Sequence, residues 1–91
     1  MRIYTQDLGP DITEIDLKEV FQLYGKVSFV RINVEEGPDG VDPVRSAIIG
    51  MQNKMESLAA IVGLHGKTLK GTLLKVREAG VGISNSQERS G

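Results

Sequence analysis

The side chains of this chain best suited to chemistry are rings and cations spaced two apart in strand-like segments. Arg2, Tyr4 and Gln6 alternate in the first segment; Phe29, Arg31 and Asn33 alternate in the second. Ser46 and Ile48 follow in a third, and Lys75 and Arg77 in the last. A ring offers a π face on which a planar base stacks, worth about 1–3 kcal/mol per base. Arginine and lysine meet phosphate oxygens, and arginine also stacks on rings. Gln6, Asn33 and Ser46 add neutral donors and acceptors. Together the four cations suit recognition of phosphate oxygens on a ligand at this face. A solvated sheet face rich in Lys and Arg would present the same charges, and charge alone does not separate the two readings.

The whole chain has 11 basic and 12 acidic residues, a net charge of -1. That argues against strong unspecific binding to nucleic acid, which depends on net positive charge. The alternating positions sort charge locally, with Arg2, Arg31, Lys75 and Arg77 against Glu35 alone.

Other chemistries find little support. There is no cysteine, which excludes disulfides and thiolate metal sites and fits a reducing cytoplasm. His65 is the single histidine and has no evident orienting partner, so it reads as a turn residue. Gly66-Lys67-Thr68 resembles the end of a phosphate-binding loop, but Ile61 stands where its first glycine is required. Glu35, Glu36, Asp39 and Asp42 form an acidic loop without the ordered ligand spacing of a calcium loop. An enzyme, a metal site and a cofactor are not expected. The N-terminus lacks the apolar core of a secretory signal, and no run is long enough to span a membrane.

Ninety-one residues make one domain. Arg2 to Leu8 reads as a strand ended by Gly9-Pro10. Thr13 and Asp16 form a capping-box pair ahead of a helix over 14–24, with Leu17, Val20, Phe21 and Tyr24 on one face and Gly25 as its left-handed stop. Val27 to Val34 is a half-buried strand and Val44 to Met51 a third. Asn53 caps a second helix whose apolar face is Leu58, Ile61 and Val62, ended by Gly63 and Gly66. The last strand falls within Leu69 to Ala79, starting after Gly71. Residues 80–91 are small and polar, a composition expected of a disordered tail.

The order β-α-β-β-α-β predicts an α+β, ferredoxin-like fold, with both helices on one face of a four-stranded antiparallel sheet. Strand alternation then assigns Ile3, Thr5, Val30, Ile32, Val34, Ala47, Ile49, Met51, Leu74 and Val76 to the core. The opposite parity faces solvent and includes the ten candidates above with Glu35, Val44 and Leu73.

Ile3 to Leu8 and Val44 to Met51 resemble the paired hexamer and octamer segments of the RNA recognition motif (RRM) family. Ala60 to Val76 is similar to the family's pattern A-I-x-x-L-N-G-x-x-L-x-G-x-x-L-x-V, with His65 at the Asn. The resemblance spans Arg2 to about Ala79 and implies that Tyr4 is the exposed ring of the hexamer. It also implies that Ser46 and Ile48 stand where two further exposed rings are usual, and Val44, beside Arg45, where a basic residue is usual. Loss of two stacking rings removes roughly 2–6 kcal/mol of base stacking. The resemblance implies an RRM domain over 1–79 that binds single-stranded RNA, or single-stranded DNA, on its sheet. The alternative is a protein-interaction module that pairs with a partner or a second copy through an apolar patch of Val44, Ile48 and Leu73.

Overall fold

The structure is a computed structural model and describes residues 1–40 and 42–80. The elements run β1 (Arg2–Gln6), α1 (Glu14–Gln22), β2 (Val27–Glu35), β3 (Val44–Met51), α2 (Lys54–Leu64), β4 (Thr68–Leu69), β5 (Thr72–Leu73) and β6 (Lys75–Glu78). Four strands form one antiparallel sheet in the order β2-β3-β1-β6. The fold is therefore the expected α+β, ferredoxin-like one. Ile3, Thr5, Ala47, Ile49, Met51 and Val76 from the sheet are buried with Leu17 and Phe21 of α1 and Ala60 and Leu64 of α2. Both helices thus cover one face, and the other stays open. The expected tail lies, from Val81 on, outside the described residues. Among those described, no helix is long and apolar enough to cross a membrane.

Both helices start where their caps place them. Thr13 Oγ1 accepts from the Asp16 N–H (3.2 Å), and Asp16 Oδ2 accepts from the Thr13 N–H (2.9 Å), closing the capping box. Asn53 Oδ1 accepts from the Glu56 N–H at 2.9 Å. Asp16 also pairs with Lys70 Nζ at 2.8 Å. The Lys70 ammonium and the Thr13 N–H hold the Asp16 carboxyl below its ordinary range.

Three expectations change. Gly25 does not end α1 in a left-handed conformation; Leu23 caps the helix, and Gly25 instead makes room for the Glu56 side chain. The buried face of α2 is Ser57, Ala60 and Leu64 with Ile61 half-buried, while Leu58 and Val62 face outward and Gly63 lies inside the helix under the Tyr24 ring. The segment is apolar on all sides, so periodicity could not choose its inner face. The last strand is divided. Lys70 and Gly71, at φ 49° and 81°, make a two-residue turn that pairs β4 with β5 as a separate hairpin, and β6 begins only at Lys75.

On each edge of the sheet one amide is taken by a side chain. On β2 the Ile32 N–H donates to Glu14 Oε2 at 3.1 Å, and on β6 the Val76 N–H donates to His65 Nδ1 at 3.0 Å. Unpaired edge amides invite further strands, and these two are occupied. His65 is therefore more than a turn residue. His65→Ala should destabilise the domain by about 1–2 kcal/mol, because Val76 is buried and its amide loses its acceptor. His65→Asn, which can present an amide oxygen, should recover much of that in urea unfolding. Equal losses for both variants would show that the hydrogen bond is not the cause.

Candidate nucleic-acid interface

Register places the sequence-derived candidates in rows across the open face. One row runs Arg31, Ile48, Tyr4, Arg77 from β2 through β3 and β1 to β6. The next runs Asn33, Ser46, Gln6, Lys75. The third holds Phe29, Gly50 and Arg2. All ten candidates share one surface.

Their engagements differ. The Arg77 guanidinium carbon lies 4.6 Å from the centroid of the Tyr4 ring, a cation–π stack in the middle of the sheet. Lys75 Nζ pairs with Asp7 Oδ2 at 3.2 Å, so part of its charge is answered within the molecule. Asp7 itself sits at φ 57°, a left-handed position that Asp and Asn tolerate better than most residues. Arg2 and Arg31 are exposed and form no ion pair among the described residues.

Between Tyr4 and Phe29 lies a shallow hollow of about 570 Å³ lined also by Arg2, Arg31, Asn33, Ile48, Arg77, Ala79 and Gly80. That volume falls within the range of roughly 300–1,000 Å³ usual for ligand sites. No acidic side chain among the described residues lines it. The acidic loop lines a separate depression at the far end of the β2–β3 hairpin. Among the described residues, no group of three or more His, Cys, Asp or Glu is arranged to hold a metal ion.

A bulge precedes Phe29 on this face. Val27 pairs with Met51, but Phe29 pairs with Gly50, so one extra residue of β2 sits between them. The bulge flips the alternation: Val27 packs on the core, and Phe29, two residues later, points outward with 41% of its surface exposed. Its ring lies over Gly50, where any added Cβ would collide with it.

Two residues, Leu73 and Val34, depart from their expected places, and Arg45 takes a structural role. Leu73 belongs to β5, in a separate two-stranded hairpin and not in the four-stranded sheet of Val44 and Ile48. Val34 is 60% exposed rather than in the core, on an edge strand where α1 provides its last bond at Ile32. Arg45 is on the helix side of the sheet, where its guanidinium donates to the Gly9 carbonyl and to the Ile12 carbonyl (3.0 Å). It anchors the loop into α1 and is not part of the open face.

A family model described as RNA recognition motif matches residues 3–75. The chain belongs to the RNA recognition motif family. RRM domains are a non-enzymatic, RNA-binding fold. Among solved structures, this RRM is similar to RNA binding protein PG1, with 28% identity, a TM-score of 0.72 and coverage of 87% of this chain and 93% of that one. It is similar to a chain of a Sex-lethal protein/RNA complex, with 26% identity, a TM-score of 0.71 and coverage of 86% and 46%. The first two RRM domains of yeast poly(U) binding protein Pub1 match at 24% identity, a TM-score of 0.76 and coverage of 87% and 46%, a likeness of fold. No curated protein matches the sequence significantly.

Proposed function

We propose that this RRM binds single-stranded RNA on its open sheet face. The observation that carries the reading is the Tyr4 ring at the centre of that face, stacked with Arg77 and flanked in register by Ile48 and Arg31. One base stacks on Tyr4, with the Arg77 guanidinium as a second planar surface. Arg2 and Arg31 track phosphates on either side, and Asn33, Gln6 and Ser46 offer polar edges one row away. The relatives support it: PG1 is described as an RNA binding protein, and the Sex-lethal structure as a protein/RNA complex. A protein-docking role through the same face is less favoured, because Leu73 of the proposed patch lies in a separate hairpin and not in the sheet that carries Val44 and Ile48.

The test is a fluorescence-anisotropy titration of labelled random-sequence single-stranded RNA, with single-stranded DNA as competitor. Wild type should bind, more weakly as salt rises. Tyr4→Ala should weaken binding by about 5- to 150-fold, the equivalent of about 1–3 kcal/mol for one stacked base. Absence of binding at high micromolar protein, or affinity indifferent to Tyr4, would overturn the reading. Competition by DNA equal to that of RNA would widen the ligand class to single strands in general.

A further inference from the structure

The family resemblance leaves this domain with a single ring, because Ser46 and Ile48 occupy the two usual ring positions of β3. The three-dimensional arrangement supplies a second ring from another strand. Phe29 shares the open face with Arg31 and Asn33 in unbroken register, and Gly50 lets its ring lie across β3. On that strand Gly50 follows Ile48 by two residues and pairs with Arg2, while Ile48 pairs with Tyr4. The space above Gly50 is therefore diagonal to Tyr4, about 7–8 Å away in an antiparallel sheet. Ile48 supplies an apolar floor in the hollow between the two rings, and Arg2 and Arg31 flank it.

The geometry points to Phe29 as a second base platform, so that Phe29 and Tyr4 stack two neighbouring nucleotides of one strand, and to Gly50 as the residue that positions it. This rests on the reading that the sheet face binds RNA, and deepens it from one stacked base to a two-nucleotide site. The bulge is compatible with this: it lets Val27 pack on the core while Phe29 stays on the open face with Arg31 and Asn33, whereas without it residues 27 and 29 would share a face. Gly50 serves the platform by lacking a Cβ. An alanine there would come within 2.9 Å of the Phe29 ring Cζ and closer to two other ring carbons. The ring is the far end of a flexible, exposed side chain, so the alanine moves the ring and leaves the strand intact.

The same anisotropy titration, extended to Phe29→Ala, Gly50→Ala, the double variant and Phe29→Trp, tests it, with thermal melts confirming that each variant folds. Phe29→Ala should weaken RNA binding by about 5- to 150-fold, and Phe29→Trp should stay within about threefold of wild type. Gly50→Ala should weaken it comparably although the ring is still present. The double variant should be no weaker than Phe29→Ala alone, since both changes remove the same platform. Full affinity in Phe29→Ala, alongside loss in Tyr4→Ala, would overturn the second platform and leave the one-base reading standing. Additive losses from the two substitutions would overturn the role given to Gly50. No salt-sensitive RNA binding by wild type would overturn both this inference and the reading beneath it.

Discussion

Phe21→Ala should cost the domain about 3–5 kcal/mol, the range for removing a fully buried phenylalanine. Phe21 is the largest side chain with no exposed surface, and it lies one turn after Leu17 on the inner face of α1. The hole it leaves is bounded by the sheet and by α2, which are held by their own hydrogen bonds and so relax only partly to fill it. At roughly 0.05–0.15 kcal/mol per residue, a domain this size has about 5–14 kcal/mol in total. The variant should therefore sit near the edge of folding, with a urea midpoint sharply lowered. A cost below about 1 kcal/mol would mean that the ring is not the centre of the core. Because the sheet face is built on the same strands that Phe21 covers from behind, RNA binding should fall with the folded fraction.

The second large effect concerns charge. Replacing Arg2, Arg31 and Arg77 together by glutamine should weaken single-stranded RNA binding by at least about 100-fold at low salt, at ~1 kcal/mol or more per charge-assisted contact. The salt dependence is the sharper measurement. Three phosphate contacts to a single strand contribute a slope of about 2 in log affinity against log salt, which is about a 20-fold loss between 50 and 200 mM. The triple variant should lose that part of the slope. Lys75 is left in place because Asp7 already shares its charge, so a residual slope near that of a single contact is expected. An unchanged slope would place the phosphates elsewhere on the molecule. Arg77 has a further role through the Tyr4 ring, so Arg77→Lys should keep much of the slope yet lose affinity, since an ammonium stacks less well than a guanidinium.

What could be read from the sequence followed how strictly each segment alternates. In β1 the alternation of Ile3 and Thr5 with Arg2, Tyr4 and Gln6 leaves one solution, and the strand adopts it. The capping pairs at Thr13–Asp16 and Asn53–Glu56 are local in sequence, and both helices start there. The errors fall where a local pattern has two solutions. Lys70-Gly71 stands between Thr68-Leu69 and Thr72-Leu73, the spacing of a tight hairpin, and that signal would have separated Leu73 from the last strand. Alternation with Val30 and Ile32 places Phe29 outward, as found; Val27, of the same parity, faces the core because a bulge separates the two, which alternation does not show.

The sequence by itself determined the order of elements, the family and the identity of the open face, because alternation, caps and turn residues act over a few positions. Tertiary structure decided which groups act together on that face. It stacked Arg77 on Tyr4, answered Lys75 with Asp7, tied Arg45 to the loop into α1 and laid Phe29 over Gly50. Each of these depends on register between strands distant in the chain, and register is fixed only when the strands pair over a shared core.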